Sequence, residues 1–425
     1  MKVNKHRFAI EKSQNRKRLQ YGEAELLLWV YLLKERALTE KQLYQYYSMY
    51  DTISYPGFWK KLCKFEEYGL IKSYKYRVGQ NGTIIKYFRI RSLCYELLKK
   101  FDLITEEYEN INVSTIPKSN LDHHFGTKEV ILKSLIELRN TLDNYHTVYP
   151  SKLTRVYPIT IPDGVLMSDD KLLYIEFDSG SETLNELKSK IQRYLHEADN
   201  SISKKEGILI TLLDNSIPNR KGIDDRRNRI KNLINIISSL PEILTKSVPI
   251  YILPLSIAQK ASLTFFKETS ESRDEKVKTV ASTLYETDIH TSFKYEEVDK
   301  IYTNYMQHYG LLPDHIELHN LDQYKNFFTF FQFKELGNIQ DHKKIIQLLE
   351  VPCLSQGFTP EILYVVYEDE DSMHQDVHIT GALKRVRYIT ANLPENYSDK
   401  PYVFVRDTKT KVKKVFDLAL WPTLF

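Results

Sequence analysis

Cysteine is nearly absent. Three in 425 residues, Cys63, Cys94 and Cys353, are too few and too far apart for a disulfide framework or a zinc ribbon, and each is expected to be an ordinary buried thiol. Long apolar runs are missing as well. Nothing approaches the roughly 20 residues needed to cross a bilayer, and the basic start "MKVNKHRFAIEKSQNRKRLQ" has no apolar segment behind it. A cytoplasmic protein without a membrane partner is therefore expected. The net charge is a modest +4, but it is unevenly spread. Residues 1–100 hold 21 Lys and Arg against 9 Asp and Glu, a net +12, so the remainder carries −8. A basic end on an acidic body suits a chain that meets polyphosphate at one end only. At roughly 150 residues per domain, the length predicts two or three domains.

The basic end has a readable pattern. "YGEAELLLWVYLLKER" predicts a well-buried helix, and "LTEKQLYQYY" a short second one with Thr39 as N-cap and Gln42 completing a capping box. "YPGFWKKLCKFEEYGLI" predicts a third helix. It places Phe58, Leu62, Phe65 and Tyr68 toward a core and Lys60, Lys61 and Lys64 on another face, with Gly69 as its stop. Two strands joined by "GQNG" follow. Three helices and a hairpin spell a winged helix-turn-helix over residues 1–105, whose third helix would enter the major groove of double-stranded DNA. Lys72, Lys75, Arg77, Lys86 and Arg89 would then contact phosphates from the wing. The plainer alternative is a dimerisation module with solubilising lysines. Tyr44, Tyr46, Tyr47, Tyr50, Tyr55, Phe58 and Trp59 read as core and rim rather than as a base-stacking platform.

A linker is expected between about 103 and 122, then a helix at "TKEVILKSLIELRNTL" with an apolar stripe of Val130, Ile131, Leu135, Leu138 and Leu142. Short apolar strands and helices alternate from there to "VPIYILPL", which predicts an α/β layer on a mixed sheet over residues 120–260. Within it, Asp163 opens one strand while Glu176 and Asp178 lie two apart on the next, on one face. Such a trio suits Mg²⁺ or Mn²⁺ and phosphodiester cleavage, with Lys188 or Lys190 reaching back to supply the cation that a nuclease strand carries two residues after its acid. Asp178 holds that position here. The structural alternative pairs the acids with Lys190 and Arg193 to fix the helix on the sheet.

"LDHHFGTKEVILKSLIEL", "IPDGVLMSDDKLLYIEFDSGSETLNELKSKIQRY" and "GILITLLDN...DDRRNRIKNL" resemble successive blocks of the replication-relaxation proteins of bacterial plasmids and conjugative elements. The resemblance spans roughly residues 20–250. It rests on Pro162, Asp163, Glu176, Asp178, Gly180, Glu182, Lys190, Arg193 and Tyr194, and departs at "DSGSET", where "DRGTE" is usual. It implies a winged helix joined to a domain similar to the PD-(D/E)xK nuclease fold, and it makes Asp178 a family feature rather than a lesion.

Residues 275–425 form an unassigned C-terminal α/β region. "ETSESRDEKVK" is expected to be a surface segment or hinge, "NFFTFFQF" and "EILYVVYE" buried strands or helix pieces, and "YVFVRDTKTKVKKVFDLALW" a hairpin. His374, Asp376 and His378 could share a strand face and bind a metal, and "KRVRY" reads as a solvated edge strand or a second phosphate-contacting patch. The whole is expected to be an α+β multidomain chain. Its leading reading is a sequence-specific DNA-binding protein of a mobile element, acting in replication or mobilisation, as a homodimer or with replication or relaxosome proteins. Two alternatives stand beside it. One is a Mg²⁺-dependent DNA endonuclease using Asp163, Glu176, Asp178 and Lys190; the other is a transcriptional regulator with an inactive nuclease-like domain.

Overall fold

The computed structural model describes residues 8–11, 18–77, 84–104, 116, 120–139, 145–148, 160–180, 182–198, 204–214, 224–267, 270–285, 312–322, 325–350, 360–391 and 402–416. The "GQNG" turn and Cys353 lie outside them. Among the described residues the chain is a mixed α/β protein with eleven α-helices and several sheets. It divides into two compact units, residues 1–226 with 254–263, and residues 227–253 with 264–425.

The first unit begins with an antiparallel pair, β1 (Phe8–Glu11) and β2 (Arg18–Tyr21). Then come α1 (Glu23–Glu35), β3 (Leu38–Thr39), α2 (Glu40–Tyr47), α3 (Tyr55–Glu67), β4 (Ile71–Arg77), β5 (Ile84–Ile90) and α4 (Ser92–Lys100). Strands β3, β5 and β4 form an antiparallel sheet in that order. Trp29, Leu32, Tyr47, Phe58, Leu62, Phe65, Phe88 and Leu98 fill one core beneath the helices. Local chemistry sets the boundaries. The Thr39 hydroxyl accepts from Gln42 N at 3.3 Å while Thr39 N donates to the Gln42 side chain at 3.1 Å, the reciprocal capping predicted from sequence. Ser54 accepts from Gly57 N and Pro56 sits in the first turn, which starts α3.

Helix α5 (Leu121–Arg139) follows, then β6 (Tyr145–Val148), β7 (Gly164–Ser168), β8 (Lys171–Asp178), α6 (Leu184–Ala198) and β9 (Lys205–Leu212). The strands lie in the order β9, β8, β7, β6; β6, β7 and β8 are antiparallel in sequence, and β8 and β9 are parallel. A β-carbon at Gly126 would overlap the Phe177 ring, and one at Gly164 would sit 2.6 Å from Ile131 Cδ1, so these two glycines let α5 lie close on β7 and β8. Most of the linker expected between 103 and 122 lies outside the described residues. Helix α5 is tied to the N-terminal elements by the Lys128 ammonium, 2.5 Å from the Glu35 carboxylate with both side chains almost wholly buried. Gln42 Nε2 also donates to Phe125 O at 2.9 Å.

The second unit contains α7 (Asp224–Ser238), which straddles the division, β10 (Ile250–Pro254) and, beyond α8 (Ala258–Lys267), α9 (Ser270–Tyr285). Its six-stranded sheet runs in sequence order: β11 (His315–Asp322), β12 (Lys325–Phe333), β13 (Pro360–Tyr367), β14 (Val386–Thr390), β15 (Tyr402–Thr408) and β16 (Lys411–Phe416). Strands β12, β13 and β14 are parallel, joined by α10 (Ile339–Glu350) and α11 (Glu370–Thr380). Ile345, Leu348, Met373 and Val377 pack on one sheet face, and Val277, Val280 and Leu284 of α9 on the other. Both faces of a parallel sheet need such cover.

Four expectations need correction. "ETSESRDEKVK" contributes to helix α9 and is no hinge, its exposed Asp274, Glu275 and Lys278 fitting the surface-segment alternative, while the apolar side of that helix, Val277, Val280, Ala281 and Leu284, lies mostly beyond it. "HQDVH" is helical, so positions i and i+2 diverge by about 200°; Asp376 is buried while His374 and His378 are exposed. "KRVRY" leads into β14, which is an interior strand and not an edge. Cys63 is exposed, whereas Cys94 is buried and its thiol is pushed up by that burial.

Breaking the Lys128–Glu35 pair from one side should be costly, because the survivor is a buried unpaired charge. We expect Lys128→Met to lower unfolding free energy by about 3–5 kcal/mol, and the double Lys128→Met/Glu35→Leu to recover most of it. Urea denaturation of the three proteins measures both; equal losses in single and double variants would contradict the pairing.

Candidate functional site

Two groups of side chains in the first unit were singled out from sequence. The first is the basic face. Phe58, Leu62 and Phe65 anchor α3 in the core at 0–1% exposure, which turns Lys60 and Lys64 outward. Lys72, Lys75 and Arg77 of β4 are also exposed, with Lys75 and Arg77 on one strand face and Lys72 on the other. Three of the predicted cations are engaged differently. Lys61 is turned inward, paired with Glu25 of α1 and donating to Tyr47 Oη at 2.6 Å. The Glu25 carboxylate also accepts from Tyr47 at 2.8 Å and from Gly22 N at 2.7 Å. Burial would raise it, but these bonds and the Lys61 charge hold it below its usual range. Lys61 is thus a half-buried strut between α1, α2 and α3, a role that helical spacing cannot show because its partner is 36 residues away. Lys86 lies 4.2 Å from the centre of the Trp59 ring and 3.9 Å from Glu66, and Arg89 is half-buried.

The second group is the acidic cluster. Asp163 stands just before β7, where its N donates to Ile175 O at 3.1 Å and its Oδ2 accepts from Phe177 N at 2.8 Å. The same oxygen faces His123 Nε2 of α5 at 3.0 Å. Burial would raise the Asp163 carboxyl, yet the histidine bond and charge outweigh it and hold the group below its usual value. His123 moves the opposite way: burial lowers it, Asp163 more than offsets that, and the imidazolium is favoured.

Glu176, 1% exposed, is gripped by α6. Lys190 Nζ lies 2.5 Å from Oε2 and the Tyr194 hydroxyl donates to Oε1. Burial, joined by the Asp163 charge, pushes the Glu176 carboxyl well above its usual range against the pull of Lys190. Lys190 itself is held above its ordinary value, since the Glu176 and Asp163 charges outweigh burial. The ammonium therefore keeps its proton. Asp178 is 3% exposed and accepts from Gly180 N at 2.8 Å, forming the turn that leads to α6. That helix is capped by Thr183 and Glu186: Thr183 N donates to the carboxylate at 2.7 Å and Glu186 N to the hydroxyl at 3.2 Å.

Of the sequence-selected residues, the structure brings Asp163, Glu176 and Lys190 together and directs Asp178 to its own turn. Lys190 reaches back from the helix as anticipated, whereas Arg193 is exposed and Tyr194 takes the place expected for it. His123 was missed. It sits in the quoted "LDHHF" block, but only tertiary packing shows that this histidine meets Asp163. As ligands for Mg²⁺ or Mn²⁺ the carboxylates do not fit as arranged: among the described residues no group of three or more His, Cys, Asp or Glu could hold a metal ion, and each acid is already bonded within the protein.

This sheet and its flanking helices fall within the stretch, residues 30–213, that matches the model of the family described as Replication-relaxation. The match covers less than half of the chain, and over that stretch the chain is similar to the replication-relaxation family. No curated protein and no solved structure matches the chain. No helix among the described residues is long and apolar enough to cross a membrane.

The His123–Asp163 pair predicts a pH signature. A histidine raised in the fold stabilises fully below its unfolded value near 6.5 and loses that contribution as pH rises through the folded value. A lowered aspartate stabilises above its unfolded value near 3.8 and loses its contribution as pH falls. The stability advantage of the native protein over His123→Gln should therefore be larger at pH 6 than at pH 9, as read from urea midpoints. An advantage that grows toward pH 9 would contradict the pairing.

Proposed function

We propose that the chain is a sequence-specific duplex-DNA-binding protein of a mobile element, acting in its replication or mobilisation. The observation that carries this reading is the order α1, β3, α2, α3, β4, β5 with sheet order β3, β5, β4. That order supports a winged helix-turn-helix reading, in which the exposed Lys60 and Lys64 lie on the third helix and the exposed Lys72, Lys75 and Arg77 on the strand pair. Lys60 and Lys64 would approach the major groove while the β4 cations meet phosphates and fix register. Lys86, stacked on Trp59, and Arg89 would serve at the margin. Lys61 leaves the contact set and supports the helices from behind.

The segment α5, β6, β7, β8, α6, β9 supports a PD-(D/E)xK-like scaffold, with three antiparallel strands followed by a helix and a parallel strand. On this reading the acidic cluster holds that scaffold together. One observation favours endonuclease activity as a second reading: Lys190 places a cation beside Glu176, as strand-borne lysines do in nucleases. The bonds of Glu176 to Lys190 and Tyr194, and of Asp163 to His123, would have to open before either acid could take a metal.

Lys60→Ala/Lys64→Ala should weaken duplex binding at least about tenfold near 100 mM salt and flatten the dependence of log K on log salt by up to about 2, since each cation removed from the DNA face releases about 0.9 fewer counterions. Lys61→Ala should instead lower the unfolding midpoint. Fluorescence anisotropy with a labelled duplex from the native locus, beside thermal melts, separates the two. Unchanged affinity in the double variant would remove α3 as the recognition helix.

A further inference from the structure

The second unit carries a feature that the family match at residues 30–213 does not reach. Among the described residues, strands β14 and β15 are paired at one position, Tyr388 opposite Phe404. From there the two chains part, and a cleft of about 590 Å³ opens between residues 383–387 and 405–408. Its lining includes Lys384, Arg385, Arg387 and Arg406 against a single acid, Asp407. Lys384 and Arg385 are exposed, as are Lys409, Lys411, Lys413 and Lys414 on the adjoining hairpin. Over the described residues 384–391 and 402–416 there are eight Lys and Arg and one acid, a net +7 in a region of the chain, residues 101–425, whose total is −8.

This concentration is held in place. Ala382 N donates to Lys409 O at 2.8 Å, which fixes the loop before β14 against the turn between β15 and β16. Leu383 N donates to the Tyr388 hydroxyl at 2.7 Å. Arg385, between those anchors and Arg387, adopts a left-handed backbone with φ of 60°, a conformation that costs free energy for a non-glycine residue and persists only where surrounding contacts impose it. Arg387 is braced by the Tyr364 hydroxyl at 3.1 Å. Like charges gathered on a fixed loop repel one another unless a counter-charge sits among them.

We propose that the cleft between β14 and β15, with the basic hairpin β15–β16 beside it, binds the phosphodiester backbone of nucleic acid without reading sequence. The cations continue beyond the cleft along the hairpin, which suits a chain of phosphates rather than one. Among the described residues no aromatic side chain lines the cleft, which favours recognition of phosphates over stacked bases. The class of partner follows the nucleic-acid reading given above, while the residues belong to the other compact unit, so either can fail alone.

The test uses the full chain in two variants, Lys384→Gln/Arg385→Gln and Lys411→Gln/Lys413→Gln/Lys414→Gln, each made alone and with Lys60→Ala/Lys64→Ala. Affinity for a random-sequence duplex of about 30 base pairs is followed by anisotropy against salt, with inorganic phosphate and a nucleoside triphosphate as separate competitors, and thermal melts report folding. The expected result is at least a fivefold loss of affinity in each variant and a salt slope shallower by about 2 for the pair and 2–3 for the triple, at unchanged melting temperature. Should the pair disturb its strained loop and lower the melting temperature, the triple, which alters exposed hairpin positions, decides. Loss in these variants with no effect of Lys60→Ala/Lys64→Ala would uphold the cleft and sink the α3 reading. Unchanged affinity and slope in the deciding variant would overturn the proposal. Nucleoside triphosphate binding that these changes abolish while duplex binding stays intact would also overturn it, in favour of a free nucleotide.

Discussion

Helix α5 has to satisfy buried charge on two sides, and the first unit depends on its doing so. Toward the N-terminal elements, Lys128 meets Glu35 in a nearly dry environment and His124 faces Ala37 O at 2.9 Å, its ring held neutral with a value lowered to about 3 chiefly by burial. Toward the sheet, His123 meets Asp163. Adjacent helical residues point about 100° apart, so one turn of α5 grips both neighbours. Gly126 removes the side chain that would hold the helix off Phe177. The basic face and the acidic cluster are therefore parts of one compact unit.

That constraint bears on function through the acids. A carboxylate with 1% exposure is tolerated only if its partners replace water, and Glu176 takes one from Lys190 and one from Tyr194. The same bonds that make the cluster stable make it unready for a metal. On the proposed reading, a scaffold whose acids are internally compensated serves to carry the DNA-binding elements rather than to cut.

Much of this was legible in the chain. The Thr39–Gln42 box and the core spacing of Phe58, Leu62 and Phe65 follow from contacts within a few residues, and the observed helices, with the antiparallel strands on either side of "GQNG", stand where those signals put them. The meeting of Asp163 and Glu176 was legible from the strand period, which left Lys188 and Lys190 both open and placed Asp178 with the other acids, whereas Asp178 bonds to Gly180 N in its own turn. What sequence did not show depends on partners far along the chain: Lys61 turning to Glu25, His123 meeting Asp163, and Lys128 meeting Glu35. The Thr183–Glu186 cap was readable in "TLNE" and was overlooked beside the acids. In the C-terminal region, "HQDVH" failed because alternate spacing was taken for a strand, although Asp369 as N-cap, donating no bond but accepting from Ser372 N at 2.7 Å, marks a helix start.

The most direct measurement is strand scission. Purified protein is incubated with supercoiled plasmid carrying its native locus, with and without Mg²⁺ or Mn²⁺, beside Asp163→Ala, and plasmid binding is followed in the same reactions. Binding with no metal-dependent nicking above the Asp163→Ala background is the predicted result. Metal-dependent nicking that disappears in Asp163→Ala would contradict the account and make the acidic cluster a catalytic centre.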